Sequence, residues 1–285
     1  SHALFDSVRG GNKRLRSDST AVEDASTDSI SSFNPDGWTM DGNDAVNKNG
    51  NNYVAWCWKA GGAPVANNDG TIATQVSVNK EAGFSIITYT GTGADATIGH
   101  GLGRTPGFVM TKRRDNSAIN WVCKHSCTTK VAYLDLPDRF DDNGSGQGII
   151  TNLNSSTYTV DRYNSEYNIN GVNGNGDAYV SYCWAEIPGY SKIGRYRGKG
   201  GSGTSGNSKG PFIYCGFEPA WVMIKDVDNS GRSWIIQDNK RDPSNPTDRW
   251  LFADGSSDGS HSDGRFIDLL SDGFKTVSYT HLRAH

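Results

Sequence analysis

The sequence predicts an all-β protein made of tandem β-sandwich repeats that are joined by long loops rich in Gly, Asn and Ser. Short runs of aromatic and β-branched residues alternate with turn residues along the chain, and 35 of its 285 residues are glycine. This composition is typical of short strands linked by tight turns. The same runs also recur at constant spacing, which indicates internal duplication.

The run that organises the chain is YVAWCW at residues 53–58. It returns as YVSYCW at residues 179–184, 126 positions later (53 to 179). Side chains alternate across a strand, so the large residues of each run face one layer and the smaller residues face the other. Because neither face carries much polarity, both runs are predicted to be central strands that are buried on both sides.

A β-hairpin also repeats. Residues 106–112 and 119–123 are typical of two strands joined by a polar turn, and residues 219–225 lead in the same way to Trp234. The offset is 113 at the start of the first strand (106 to 219), at its end (112 to 225) and at the tryptophan of the second strand (121 to 234). A further strand is predicted at residues 84–89.

These offsets divide the chain into units of a size that suits a β-sandwich of the jelly-roll or lectin-like kind. Residues 1–62 are predicted to be the C-terminal part of a truncated repeat, residues 63–187 a complete repeat, and residues 188–276 a second, truncated repeat. A Gly- and Ser-rich insertion at residues 198–210 is expected to be a loop tip. Residues 277–285 look like a translated sequencing adapter, so we expect a non-native tail on a metagenomic fragment whose natural termini lie outside it.

Charge and cysteine content argue against several classes of function. The net charge is −3, from 28 basic and 31 acidic residues, which gives no electrostatic reason to expect nucleic acid as a partner. No apolar run approaches the length of about 20 residues that spans a bilayer, so membrane insertion is not expected. The cysteine count, 5, is odd, and buried thiols are expected rather than a disulfide framework.

The candidate ligand-binding residues are three tyrosines and one histidine. Tyr158, Tyr163 and Tyr167 lie in a polar, Asn-rich stretch, and tyrosines among flexible Asn, Ser and Gly are a composition that binding loops use. The alternative is that they are strand aromatics over an ordinary core. His100 lies among glycines in the run GHGLG, where a backbone can approach a ligand closely. Its alternative role is structural, and no nucleophile accompanies it, so no catalytic residue is assigned.

Metal sites are further candidates. Two acidic, glycine-rich loops carry Asp141 with Asp142 and Asp254 with Asp258. Alternating oxygen ligands suit Ca²⁺, but the twelve-residue spacing of an EF-hand is absent, and plain turns are the alternative. The run CKHSC at residues 123–127 would need a second pair of ligands to hold zinc. Apart from this calcium hypothesis, no cofactor is expected.

Five runs carry a resemblance to a known family, namely FDSVRG at residues 5–10, YVAWCWKAGG at 53–62, GFSIITYTGTG at 83–93, GHGLG at 99–103 and GPFIYCGF at 210–217. They resemble a repeat domain of uncharacterised function found in marine bacteriophage tail-fibre and structural proteins. The resemblance covers nearly all of residues 4–276. It implies a β-rich protein of the virion, outside the cell, and it supplies no catalytic residues.

We therefore expect a phage virion protein that is not an enzyme. As a tail-fibre-type adhesin, it would present variable loops to a host cell-surface glycan or to a neighbouring virion subunit. Repetition favours binding because linked weak sites gain through effective concentration. A polysaccharide depolymerase or glycosidase is one alternative, and a purely structural capsid or tail decoration is the other. A homotrimer is a candidate assembly by analogy with fibre proteins.

Overall fold

The computed structural model describes residues 2–25, 27–116, 119–141, 150–161, 171–199, 210–256 and 266–277, and in this part of the chain it confirms the all-β class. One short helix, α1 (Asp44–Asn47), is capped by the side chain of Asn43. The strands are β1 (Leu4–Asp6), β2 (Gly10–Leu15), β3 (Asp24–Ala25), β4 (Ile30–Asn34), β5 (Gly37–Met40), β6 (Val65–Asn67), β7 (Thr74–Asn79), β8 (Phe84–Thr90), β9 (Ala96–Gly99), β10 (Phe108–Arg113), β11 (Val122–His125), β12 (Val131–Tyr133), β13 (Ile150–Thr151), β14 (Thr157–Val160), β15 (Ala178–Trp184), β16 (Phe212–Tyr214), β17 (Trp221–Ile224), β18 (Ile235–Asp238), β19 (Trp250–Phe252), β20 (Phe266–Leu270) and β21 (Gly273–Val277).

The largest sheet has seven strands in the order β12-β11-β10-β15-β8-β7-β6, and every neighbouring pair is antiparallel. β15, the central strand, is the run predicted at residues 179–184. The strand predicted at residues 84–89 is confirmed as β8, and the first predicted hairpin is confirmed as β10 with β11. The smaller sheets have the orders β1-β2-β3, β13-β14-β9, β16-β21-β20 and β17-β18-β19, and β4 pairs with β5.

One face of the seven-stranded sheet packs on the sheet β13-β14-β9, which gives the two layers of a β-sandwich. Ile87 and Val109 of the large sheet share a core with Ile98, Tyr158 and Val160 of the small one. All five side chains are fully buried. Full burial of an aliphatic side chain stabilises a fold by about 1.5–3 kcal/mol before entropy is subtracted, so this core anchors the sandwich.

The opposite face of the seven-stranded sheet packs on strands from both ends of the chain. Phe108, Met110 and Tyr182 project away from the first core, because neighbouring side chains alternate across a strand. They share a second core with Leu15 of β2 and with Trp234, which precedes β18. A third, smaller core lies between β17 and the sheet β16-β21-β20. The seven-stranded sheet is therefore the middle layer of the described structure.

The three-stranded meander β10-β11-β12 is repeated as β17-β18-β19 with the same register. Val109 lies opposite Lys124 in the first, and Val222 lies opposite Gln237 in the second, so both partners move by 113 positions. The third strand also pairs at corresponding positions, with a longer turn before β19. The two meanders therefore have the same strand order and corresponding pairing.

A third example of the last two strands of the meander stands near the start of the described chain, where β1 pairs with β2. We call residues 4–18, 108–135 and 221–254 the first, second and third copies of the meander. The boundaries of the predicted domains, at residues 62 and 187, stay a prediction.

Equivalent hydrogen bonds join the first copy to the second and the second copy to the third. The indole N–H of Trp121 donates to the carbonyl oxygen of Arg16 at 2.7 Å. The indole N–H of Trp234 donates to the carbonyl oxygen of Tyr133 at 2.9 Å. Both indole rings are buried, so each bond satisfies a polar group inside the core. The two junctions are built alike.

Two lysines repeat this pattern. Lys112 and Lys225 are 113 positions apart, and each ammonium group donates to one carbonyl in its own hairpin and to one just after the preceding copy. Burial lowers the pKa of Lys112 to about 8, and burial also lowers the pKa of Lys225. The acceptors are the carbonyl oxygens of Ile119 and Thr20 for Lys112, and of Arg232 and Pro137 for Lys225.

Residues 53–58 are not the buried central strand that their sequence predicts. Residues 51–60 form no strand or bridge, and the side chains of Tyr53 and Trp58 are 49% and 39% exposed. The matching run in β15 is buried because β10 and β8 flank it, whereas no strand in the described part of the chain flanks residues 53–58. A strand of this kind needs neighbours to satisfy its backbone polar groups.

Candidate functional site

The outer face of the sheet β16-β21-β20 carries two exposed aromatic rings. Tyr214 is 66% exposed and Phe212 is 47% exposed, whereas Ile213 between them packs against the third core. This alternation along β16 places both rings on the solvent side. We use the term aromatic face for the surface made by Phe212, Tyr214, Asp268, Gly273 and Lys275.

Two cross-strand rows make up the aromatic face. In one row Phe212 lies opposite Lys275, which lies opposite Asp268 on the next strand. In the other row Tyr214 lies opposite Gly273. Residues directly opposite each other in an antiparallel pair project from the same face of the sheet. The rows therefore place Lys275 directly across from Phe212, with the carboxylate of Asp268 on the strand beyond it.

Gly273 makes room for the ring of Phe212. A Cβ atom at Gly273 would lie 2.9 Å from Cζ of Phe212 and 2.1 Å from the carbonyl oxygen of Ile213. Gly37, which occupies the matching position in the repeated sequence (37 to 273), has open space at the same point. The close approach of ring and backbone at Gly273 is therefore absent at the matching position in β5.

The aromatic face has no counterpart on the sheet β13-β14-β9. Ile98 and Ile213 are the inward-facing residues of the corresponding strands β9 and β16. Thr97 and Gly99 flank Ile98, where Phe212 and Tyr214 flank Ile213. Sequence reasoning missed this site, although the alternation of aromatic and aliphatic residues in β16 was a signal that could have found it.

His100 does not line a ligand site. It is fully buried, its Nε2 lies 3.1 Å from the carbonyl oxygen of Asn154, and its Nδ1 accepts the backbone N–H of Leu102. Burial lowers the pKa of His100, which favours the neutral ring that these two bonds require. The prediction of ligand contact is corrected: the side chain fixes the glycine-rich loop.

The predicted tyrosine cluster is not brought together on the surface. Tyr158 is fully buried in the first core, and burial raises the pKa of its hydroxyl. It cannot stack on an external sugar, so this prediction is also corrected in favour of the alternative, a strand aromatic. Tyr163 and Tyr167 lie outside the described residues.

The predicted calcium loops do not converge in the described structure. Asp141 is exposed and lies 3.9 Å from the guanidinium of Arg139. Asp254 accepts the backbone N–H of Trp234, a contact that Asp135 makes with Trp121 in the second copy. Among the described residues, no group of three His, Cys, Asp or Glu side chains could hold a metal ion. The other two candidates, Asp142 and Asp258, lie outside those residues.

The run at residues 123–127 forms the end of β11 and the turn that follows it. Cys123 is buried, and burial raises the pKa of its thiol. His125 accepts the backbone N–H of Cys127 at its Nδ1, which closes the turn after β11. The thiols in this run are free, and their raised pKa values disfavour the thiolate that metal binding needs.

A buried cluster of charged side chains joins the first copy to β15. Arg9 donates to carboxylate oxygens of Asp6 at 2.5 Å and of Glu23 at 2.9 Å, and Tyr182 donates to Asp6 at 2.6 Å. Burial disfavours the Arg9 charge, but Tyr182, Asp6 and Glu23 outweigh it and raise the pKa of Arg9. The cluster is satisfied internally, so its role is structural.

A similar cluster, an Arg–Asp ion pair with an aromatic hydrogen-bond donor, lies at the third copy. Arg241 donates to the carboxylate of Asp238 at 2.7 Å, and Trp56 donates to the same carboxylate at 3.3 Å. The guanidinium of Arg241 also lies 5.7 Å from the Trp56 ring centroid, within cation–π range. Trp56 therefore takes at the third copy the place that Tyr182 takes at the first.

A family model described as Domain of unknown function (DUF7483) matches residues 1–283. No curated protein and no solved structure matches the chain. In the described residues, no helix has the length and apolar character needed to cross a membrane.

Proposed function

The chain belongs to the DUF7483 family, and we propose that it is a non-catalytic adhesion protein of the virion, of the tail-fibre type, that binds a host cell-surface glycan outside the cell. The aromatic face is the observation that carries this proposal. Phe212 and Tyr214 hold two exposed rings on one side of a paired strand. Aromatic rings offer a large apolar surface at low conformational cost, which suits stacking against a sugar.

The polar groups beside the rings complement a sugar's hydroxyls. Lys275 supplies donors and Asp268 supplies acceptors, and both are half-buried in the row that contains Phe212. Half-burial restricts their side chains before a ligand arrives, which reduces the entropy lost on binding. An open face of this kind suits one stretch of a polysaccharide rather than an enclosed small molecule.

The carboxylate content of the aromatic face supports binding rather than cleavage. Its two rows hold one carboxylate, Asp268. Glycoside hydrolysis in most families uses two carboxyl groups that flank the scissile bond. A polysaccharide depolymerase or glycosidase would need a second acid near Asp268.

A structural role in the virion is a second candidate, favoured by the repeated junctions between copies. Trp121 and Trp234 make matching buried hydrogen bonds across successive copies, as expected of a repeated building block. In this case the partner is a neighbouring virion subunit, and the protein has no affinity for glycans.

Binding to a glycan array by the wild type and by the double variant Phe212→Ala/Tyr214→Ala tests the adhesion proposal. Tyr190→Ala is the matched control, because Tyr190 is 56% exposed but lies outside the aromatic face. We expect the double variant to lose affinity at least about tenfold, since stacking contributes on the order of 1 kcal/mol per ring, and the control to bind normally. If the wild type binds no glycan, the structural role is favoured. If the double variant binds as the wild type does, the aromatic face is not the glycan-binding site.

A further inference from the structure

We propose that the aromatic face binds an acidic polysaccharide, in which a hexuronic acid stacks on Phe212 and its carboxylate pairs with Lys275. This inference rests on the proposed glycan binding and names the class of glycan. The residues that carry it form one cross-strand row, in which Phe212 lies opposite Lys275 and Lys275 lies opposite Asp268. We call these three residues the charged row.

The charged row has an uncharged counterpart on the sheet β13-β14-β9. There Thr97 lies opposite Thr159, and Thr159 lies opposite Thr151. The two rows correspond, because each starts one residue before the inward-facing isoleucine of its strand, Ile98 or Ile213. Equivalent strand pairing thus carries three threonines in one sheet and a ring, a cation and an anion in the other. The charged row is therefore not required by the strand pairing, and ligand binding is a role that would explain it.

The ammonium group of Lys275 is available to a ligand. In the residues that the structure describes, it has no ion pair and no hydrogen bond, even though Asp268 lies directly opposite on the next strand. Lys192 differs, because its ammonium lies 2.8 Å from a carboxylate oxygen of Glu186. Lys275 is also half-buried, and a charge that is partly removed from water interacts more strongly with a ligand than a fully solvated charge does.

The order of the row determines which charge a sugar on Phe212 meets first. Lys275 is on the strand beside Phe212, whereas Asp268 is one strand farther away, and neighbouring strands are about 4.7–4.9 Å apart. The other row of the aromatic face, Tyr214 and Gly273, carries no charge. A sugar that stacks on Phe212 therefore has a cation at its edge. A hexuronic acid carries its carboxylate at the edge of the sugar ring, where this cation can donate a charge-assisted hydrogen bond.

The charge of the whole protein does not favour an acidic ligand. The net charge is −3, so the summed field repels a polyanion instead of attracting it. Non-specific attraction therefore cannot account for a preference for acidic glycans. Such a preference would have to come from a local group, and Lys275 is the group that the aromatic face supplies.

Affinities of the full chain for alginate and polygalacturonate, and for the carboxyl-reduced form of each polymer, test the proposal. Reduction converts each carboxylate into a primary alcohol and leaves the linkages unchanged, so each pair of polymers isolates the charge. We expect the acidic form of at least one polymer to bind about fivefold more tightly at low salt, since an exposed ion pair contributes modestly. Raising the salt concentration should reduce this preference by screening.

Three variants assign the preference to one side chain. Lys275→Thr introduces the residue type that the matching position, Thr159, already carries in an equivalent strand, and it should abolish the preference without weakening binding of the reduced polymers. Lys275→Arg keeps the charge and should keep the preference. Lys192→Gln removes a cation outside the aromatic face and is the matched control, so it should bind as the wild type does.

The outcomes separate this inference from the adhesion proposal. Equal binding of the acidic and reduced forms, or a preference that survives in Lys275→Thr, would overturn the acidic class and leave glycan adhesion standing. A preference lost equally in Lys275→Arg would also overturn it, because the charge would then not be the cause. If the wild type binds none of the four polymers, the acidic class is wrong, and the glycan array decides separately whether the protein binds glycans at all.

Discussion

Trp121 and Trp234 occupy the same position in successive copies of one meander, and each indole N–H donates to a backbone carbonyl of the copy before it. The two bonds have lengths of 2.7 Å and 2.9 Å and lie in the same buried core. The donor lies at the same position in each copy, and so does the acceptor in the copy before it. This bond therefore fixes how successive copies pack on one another. The architecture is thus a repeated junction as well as a repeated strand pattern.

Replacing either tryptophan by phenylalanine tests that equivalence. Trp121→Phe and Trp234→Phe keep a ring in the core but leave a buried carbonyl without its donor. We expect each variant to lose about 1–3 kcal/mol of unfolding free energy, measured by urea denaturation. Similar losses at the two positions are expected; a loss at one position alone would show that the junctions are not equivalent.

The charged clusters around Arg9 and Arg241 should contribute differently to the unfolding free energy, because they differ in burial. The Arg9 and Asp6 side chains are 0% and 3% exposed, and Arg241 is 16% exposed. We expect Arg9→Met to cost about 3 kcal/mol or more, because it leaves buried carboxylates without their cation. Arg241→Met should cost less, since Arg241 is 16% exposed and bonds one carboxylate, that of Asp238, whereas the buried Arg9 bonds two, those of Asp6 and Glu23. Equal losses would contradict this ranking.

Asp135 should make stability depend on pH. Burial raises its pKa from 3.8 to about 6, so between these values the folded protein holds a proton that the unfolded chain has released. The contribution of this group to stability should therefore fall as pH rises from about 4 to about 6, by on the order of 2 kcal/mol. Asp161 has a similarly raised pKa, so Asp135→Asn and Asp161→Asn should each remove part of this fall, and the opposite trend from the lowered pKa values of His100 and His125 should then dominate. A pH profile of stability that is the same in the wild type and in Asp135→Asn would contradict the prediction.

Gly273 and Gly37 form a matched pair for testing the aromatic face. Gly273→Ala places a Cβ against the Phe212 ring and the Ile213 carbonyl, so we expect it to cost about 1–3 kcal/mol and to weaken glycan binding. Gly37→Ala meets open space and should change stability by less than about 0.5 kcal/mol. Thermal unfolding of both variants measures these losses. Equal losses for Gly273→Ala and Gly37→Ala would mean that the Phe212 ring does not depend on the glycine.

The alternation of aromatic and β-branched residues predicted much of the fold, because it indicates both an extended backbone and which side chains are buried. β8, the β10–β11 hairpin and β15 all lie where alternating aromatic and β-branched residues placed them. Residues 53–58 carry the same pattern as β15 and yet form no strand. Strand formation depends on neighbours in the sheet as well as on sequence, and sequence periodicity cannot show whether those neighbours are present.

The site was harder to predict than the fold because exposure is a property of packing. Tyr158 and Tyr214 both lie in short strands next to an isoleucine, Ile98 on the neighbouring strand and Ile213 in the same strand. Tyr158 nevertheless faces the first core, and Tyr214 faces solvent. His100 stands among glycines that suggested an open loop, and its ring is instead held by two backbone groups. Residue type and spacing identified candidates, and only the sheet faces separated buried rings from exposed ones.

Binding without bond cleavage is the property that separates adhesion most directly from hydrolysis. Host-envelope polysaccharides incubated with the protein can be assayed at once for co-sedimentation and for new reducing ends. We expect the protein to sediment with at least one polysaccharide and to release no reducing ends. Reducing ends that appear with the wild type and disappear with Asp268→Asn would contradict the adhesion proposal and establish a glycosidase.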